Sequence, residues 1–469
     1  MRRTWRLAAT VLFLTVLLVG GLAGNRLLAL GEDARSDLKL YTQLLEAART
    51  RYAGEVHFRD LVYSSIHGML RTLDPHTNFL PPTAYSSMRE KQQATFFGLG
   101  ILVGVRNGRL TVIAPIDGTP ASRLGIRAGD VIQRIEDEPT DKLSIDEAVS
   151  RLKGPKGTQV RISILRVGLD EPLELTVTRA EIPQTTVRYA YMIAPETGYI
   201  SISDFTRSTS SEVERALAKL KGEGMKRLLL DLRNNGGGLL DQAVDVADQF
   251  LPDGSTVVVT RGRTQDSAQS FSADGSHEPI AEPVVVLVNS GTASASEILS
   301  GGIQDHDIGL VVGTPTWGKG LVQTVYGLSY GAGLALTTAK YYTPSGRLIQ
   351  RDYSSYFDYY TRNGLEPGDD NPHPKVEPPA TEAYATDLGR KVYGGGGITP
   401  DVEVQPTEVA PFLQYLLGRS AFFGFGVDFA RRHPEITRDW RPDAAVLDEF
   451  RKWVVDQKID TAEDLEKGF

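Results

Sequence analysis

Between residues 33 and 72 apolar positions recur at spacings of three and four: Leu38, Leu40, Leu44 and Leu45, then Leu61, Ile66 and Leu70. That period predicts helix. It stops at LDPHTNFLPP, where Pro75, Pro81 and Pro82 forbid continuation, and the stretch reads as a structural turn. From Phe97 to about Glu181 the texture changes to short runs between glycine turns. FFGLGILVGV, RLTVIAPI, GDVIQRI and QVRISILRV predict strands, and SIDEAVSRL predicts a short helix. From about residue 183 to 400 strands and helices alternate, the texture of an α/β fold. TGYISISDF, RLLLDLR and PVVVLVNSG read as strands. STSSEVERALAKLKGEG and LLDQAVDVADQFL read as helices, and TASASEILSGGIQDHD as the helix that follows the last of those strands. Beyond Asp401 come amphipathic helices with aromatics, FLQYLLGRSAFFGFGVDFARR and AAVLDEFRKWVV, which carry no readable chemistry. Glu366 to Pro379 is a Pro-rich loop.

The extreme N-terminus departs from this globular pattern. Arg2, Arg3 and Arg6 precede an uncharged run, Leu7 to Gly24, whose length lies between a signal sequence and a short membrane span. Cleavage after Gly31, with Ala29 three positions before the cut, and retention as an anchor both fit. Either way the rest of the chain is expected outside the cytoplasm, periplasmic or held at the inner membrane, with residues 7–24 as the membrane contact. The chain has 469 residues, enough for two or three domains, and a net charge of −8, which disfavours non-specific nucleic-acid binding. It has no cysteine, which excludes disulfides, a thiol nucleophile and thiolate metal sites.

GLVVGTPTWGKG at residues 309–320 matches the first seven positions of a phosphate-binding loop through Gly313, Gly318 and Lys319. Two requirements fail. Gly320 stands where a hydroxyl must bind magnesium, and the following segment reads as strands and turns rather than a helix. Lys319 therefore needs another role. In VNSGTASASEIL a buried strand ends at a glycine turn, and Ser294 sits where the next helix begins. A serine oxygen there can attack a carbonyl, and the Ala295 amide can stabilise the oxyanion. Ser294-x-x-Glu297 equally fits a capping box. A nucleophilic serine needs a base. Of the seven histidines only His306 is close in sequence, and twelve helical residues put it about 18 Å away. No G-x-S-x-G or H-E-x-x-H motif is present. Lys319 follows Ser294 by 25 residues, enough for one helix, a return strand and a glycine turn. Burial can lower a lysine pKa towards about 7–8, which makes it a general base.

The order of elements from Phe97 to Glu181, with GLGI and ASRLGIRAGDVI, resembles a PDZ domain. The backbone amides of Leu99, Gly100 and Ile101 would then bind a peptide's C-terminal carboxylate while the peptide adds a strand. GYISISDF, LLLDLRNNGGGLLDQAV, VLVNSGTASASEIL, DIGLVVGTPTWGKGLVQT, YYTPSGRLIQ and GGITPDV resemble, in order, the C-terminal processing (tail-specific) peptidases, a likeness running from about residue 35 to 405. The resemblance implies an α/β, crotonase-like spiral of ββα units with an inserted PDZ domain and helical segments at both ends. The expected boundaries are 1–31 for the signal or anchor, 32–95 helical, 96–182 PDZ, 183–405 peptidase core and 406–469 helical tail. It further implies a Ser–Lys mechanism with Ser294 as nucleophile, Lys319 as base and Gln323 positioning the lysine. Ala295 and Gly237 would be the oxyanion donors. Gly236 stands where the family often has Pro, which bears on the choice of glycine. No metal or cofactor is implied. Expected partners are the C-termini of proteins or peptides, and the terminal helices are expected to offer an oligomer contact. The rival readings are a non-catalytic PDZ scaffold and a crotonase-type acyl-CoA enzyme.

Overall fold

The computed structural model describes residues 32–93, 95–353, 359, 382–437 and 440–460. The N-terminal leader and the Pro-rich stretch lie outside these residues. The described chain forms two units, one made of the residues up to Pro81 with Gln323–Thr337, the other of Pro82–Val322 with Thr338 onward. Among the described residues no helix is long and apolar enough to cross a membrane.

In the first unit the periodic segment forms two helices, Glu32–Arg51 and Phe58–Arg71. The break contains Gly54, a poor helix former. The second helix packs Leu70 on Phe79 and Ala332, with Tyr63 and Phe79 ring centroids 4.9 Å apart. Leu38, Leu40 and Leu44 are 53, 64 and 62% exposed, so the first helix's apolar residues are not core. The turn after the second helix is held by Asp74, whose carboxylate accepts the His76 and Thr77 amides, each at 2.8 Å. Residues 78–80 then pair with 333–335.

In the second unit a six-stranded sheet carries the largest core. Its apolar runs RLLLD, VVVLV and GLVVG form the strands Arg227–Asp231, Val284–Val288 and Gly309–Gly313, adjacent and parallel. Such continuous runs suit strands covered on both faces. Thr197–Ile202 lies parallel on one side of this group and Val402–Glu403 on the other. Thr209–Gly222, Leu240–Ala247 and Ala295–Asp305 are the accompanying helices, and all eleven residues of the last are buried. Ligand sites in parallel sheets form beyond the carboxyl ends of the strands. Three neighbouring strands here end in NNGGG, in the 289–294 turn and in the 314–319 loop.

A second sheet, wholly antiparallel, runs Ile101–Arg106, Arg109–Pro115, Val131–Ile135, Gln159–Leu165, Leu173–Thr178, so Ile101–Arg106 is an edge. Its core includes Leu99, Val112, Ile132, Ile162 and Ile164. The helix Ile145–Leu152 starts at a capping box between Ser144 and Glu147. A two-stranded ribbon, Thr95–Gly98 against Ala180–Pro183, closes this module at its base. The tail folds as Pro411–Gly418, Ala421–Arg432 and Ala444–Asp456 around Leu416, Phe425, Phe429, Phe450 and Val454.

Candidate active site

Ser294 precedes the helix Ala295–Asp305 with φ 56° and ψ −117°. An ordinary N-cap residue lies in the β region. A non-glycine residue held at positive φ costs on the order of 1–3 kcal/mol and persists only where its surroundings impose it. Those surroundings are visible. Glu297, wholly buried, accepts the Ser294 amide at 2.7 Å and the Lys319 amide at 2.9 Å on Oε2. On Oε1 it accepts the Gly318 amide at 2.7 Å and the Thr316 hydroxyl at 2.5 Å. The carboxylate half of the capping box is thus made, and the same carboxylate also gathers a loop some twenty residues away. Burial pushes the Glu297 carboxyl up, and the donors from Thr316, Lys319, Gly318 and Ser294 oppose that rise.

Tyr341 holds the same two residues from their carbonyl side. Its hydroxyl, buried in the core, donates to the Ser294 carbonyl at 3.1 Å and shares its proton with the Lys319 carbonyl. Burial first, then the Glu297 carboxylate and Tyr359, push the phenol well above its ordinary value, so it remains a donor. Both peptide groups of Ser294 and both of Lys319 therefore answer to one Glu–Tyr pair. Ser294 and Lys319 are themselves partly exposed.

The NNGGG turn is ordered by Asn235, fully buried. Its side-chain amide donates to the Ile202 carbonyl at 2.9 Å, and its own carbonyl accepts the Ala293 amide and the Ser296 hydroxyl, each at 3.0 Å. Ser296 is therefore a structural serine. Gly237 lies directly against Ser294: a β-carbon there would stand 2.7 Å from Ser294 Cβ, and its φ is +96°. Only glycine fits. The Gly237 amide, expected to face a substrate oxyanion, instead donates to Asn235 Oδ1 at 2.9 Å, which closes a two-residue turn. In this conformation that amide is already engaged. Ala295 is the first helical residue, where the backbone amide has no acceptor within the helix.

His306 lies at the far end of the helix with both ring nitrogens engaged, by Asp387 at 2.8 Å and by the Thr256 carbonyl at 2.7 Å. The 314–319 loop runs between two strands, so the helix that a phosphate-binding loop requires after Lys319 is not there. Gln323, in the first unit, donates its side-chain amide to the His76 carbonyl at 2.5 Å.

The GLGI loop is held to its own module through its carbonyls. Leu99 is buried, and its carbonyl accepts the Ala121 amide at 3.0 Å. The Gly100 carbonyl accepts the Ile116 amide at 2.8 Å and the Thr119 hydroxyl at 3.1 Å. A trans peptide points its N–H opposite to its C=O. Inward carbonyls at Leu99 and Gly100 therefore turn the Gly100 and Ile101 amides outward. Gly100 has φ +80° and would place a β-carbon 2.2 Å from Thr119 Cβ, so no other residue is accommodated.

Peptidase family S41 matches residues 196–354, and the PDZ domain family matches residues 111–166. The chain is 38% identical over 323 residues to the carboxy-terminal-processing protease of Bartonella bacilliformis, spanning 68% of this chain and 74% of that one. It is 40% identical over 299 residues to the carboxyl-terminal-processing protease of Synechocystis sp., spanning 62% and 69%. A solved photosystem II D1 C-terminal processing protease is 29% identical, with 79% of this chain and 88% of that one covered and a TM-score of 0.40.

Proposed function

Because the chain belongs to the carboxy-terminal-processing proteases of peptidase family S41, we propose that it cuts proteins presented by their free C-terminal tails, with Ser294 as nucleophile and Lys319 as base. It is a serine protease with a PDZ domain. The observation that carries the residue assignment is the single Glu297 oxygen joining the Ser294 and Lys319 backbones. Neutral Lys319 Nζ takes the Ser294 hydroxyl proton as Oγ attacks the scissile carbonyl, then delivers it to the departing amine. Water, deprotonated by Lys319 Nζ, then attacks the acyl-serine ester, and as the acyl–Oγ bond breaks the proton returns to Ser294 and the new carboxyl terminus leaves. The Ala295 amide faces the oxyanion. Gly237 becomes a second donor by exchanging Asn235 Oδ1 for that oxyanion. Gln323 orients Lys319. The core is read as a crotonase-like ββα spiral, a reading supported by its parallel strands with intervening helices.

Leu99, Gly100 and Ile101 hold the substrate's terminal carboxylate, and the edge strand that follows accepts the tail. Export is supported by the arginines and apolar run of residues 2–24, and fractionation of cells expressing the chain with and without residues 1–31 tests it. The exposed Leu38, Leu40 and Leu44 support an oligomer contact at the N-terminal helices, tested by light scattering of a Leu40→Glu variant. The function itself is tested by incubating the purified chain with a protein bearing a free apolar tail. Cleavage by the unaltered chain and none by Ser294→Ala is expected. Cleavage by both would remove Ser294 from the mechanism.

A further inference from the structure

A cavity of about 730 Å³ opens between the antiparallel module and the tail helices, far in sequence from the catalytic loops. Among the described residues Arg106, Arg109, Arg419, Arg431 and Lys458 line it, against the acids Asp428 and Asp456. Asp428 is already paired with Arg431 at 2.9 Å and with Arg432 at 3.2 Å. On a chain of net charge −8 this is a concentrated positive site. The Arg106 side chain contributes more than charge. Its Nε is buried with no hydrogen-bond partner among the described residues, while its guanidinium lies 5.8 Å from the centroid of the Phe423 ring. A buried donor left unpaired is costly, and a bound acceptor removes that cost.

The position of Arg106 connects the cavity to the tail groove. It is the last residue of the edge strand Ile101–Arg106, which leads into the turn at Asn107 and Gly108, and Asn107 also lines the cavity. A tail whose carboxylate sits on the outward amides of Gly100 and Ile101 and which pairs antiparallel to this strand runs from Ile101 towards Arg106. Its upstream residues leave the groove at the cavity wall, about six residues before the C-terminus at one residue per strand position.

We propose that this cavity is a second specificity subsite, which receives acidic residues lying about six to eight positions before the substrate's C-terminus. The inference rests on the tail-reading role given above to the GLGI loop. The substrates favoured are thus proteins with an apolar free terminus preceded, at one strand's length, by a run of Asp or Glu. The tail helices supply Arg419 and Arg431 to this subsite, which gives a segment without other readable chemistry a part in substrate selection.

The test is a fluorescence-anisotropy titration of the full chain carrying Ser294→Ala, so that peptides bind without being consumed. Two labelled peptides share one apolar free terminus and differ only in carrying glutamates or glutamines about six to eight residues upstream. The glutamate peptide is expected to bind about tenfold more tightly at low ionic strength, with the difference shrinking as salt screens it. Adding Arg106→Gln and Arg419→Gln is expected to abolish the difference between the two peptides. Equal affinity for both peptides in the chain with its arginines intact overturns the subsite and leaves tail reading standing. A preference that persists without the two arginines overturns its assignment to this cavity. If the amidated glutamate peptide binds as tightly as the free one, the tail-reading role and the subsite fall together.

Discussion

Ser294 and Lys319 deliver their backbone amides to one oxygen, Glu297 Oε2, at 2.7 and 2.9 Å. A single carboxylate thereby fixes the separation of two residues 25 apart in sequence, and Tyr341 repeats the restraint at their carbonyls. Side chains that must exchange a proton need their backbones in constant register, because a misplacement of about 1 Å lowers the rate on the order of 100-fold.

Members of one catalytic unit do not contribute additively. Ser294→Ala and Lys319→Ala are each expected to abolish cleavage with the fold intact, and the double variant to be scarcely worse than either. Steady-state rates beside circular dichroism check this. Loss of activity in Ser296→Ala but not in Ser294→Ala would move the nucleophile.

Tyr341→Phe removes one hydroxyl and keeps the ring. The expected result is a kcat lower by about tenfold with KM within about twofold, beside a stability loss of only about 1 kcal/mol. Glu297→Gln puts an amide group against donors that need an acceptor. It is expected to cost about 1–3 kcal/mol in a denaturant titration and to lower kcat further than Tyr341→Phe. A melting shift without a change in kcat for Tyr341→Phe would make the tyrosine a packing residue only.

Acid is expected to weaken the second unit through Asp248. Burial raises this carboxyl, but bonds from His277, the Gly275 amide and Ser276 outweigh it and hold the group below its ordinary value. A depressed carboxylate stabilises the fold fully above its unfolded pKa of about 3.9, and that contribution is lost as pH falls through the lower folded value. Asp248→Asn should therefore lower stability at neutral pH and flatten its decline below about pH 4. An unchanged acid slope in Asp248→Asn would mean that other carboxylates govern it.

Tail recognition predicts that a substrate with a free apolar terminus is cut at least about tenfold faster than its amidated copy, since amides left without the carboxylate cost about 1–3 kcal/mol. Deleting residues 97–181 should flatten that ratio whether the absolute rate rises or falls. Equal cleavage of both tails by the intact chain would leave a serine protease without tail selection.

Local patterns in the sequence reported local structure well. The strand runs RLLLD and VVVLV, the helix beginning at Ala295 and the GLGI turn each follow from residues adjacent in the chain. The segment 33–72 had the right period, but the pattern did not show the break near Gly54, nor that its first helix leaves Leu38 and Leu40 exposed. At Ser294-x-x-Glu297 the sequence offered a cap or a nucleophile. The structure gives Glu297 a capping contact and three further ones, because its second oxygen and half of its first are used by residues 316–319. Nothing periodic announces a contact across twenty residues. A glutamate directly before Ile298 and Leu299, in the segment that follows a buried strand, was the available signal. Tyr341 gave less, since YY in a strand reads only as β-forming. The engagement of the Gly237 amide by Asn235 depends on a side-chain rotamer that no spacing encodes.

The pairing of Ser294 with Lys319 is tested most directly by mass spectrometry of the chain treated with a peptidyl phosphonate ending in an apolar residue. Such a reagent marks the serine whose proton the enzyme removes. One adduct is expected, on the peptide containing Ser294 and at its side chain, together with its loss in Lys319→Ala. An adduct at another residue, or one at Ser294 that forms as fast without Lys319, would contradict it.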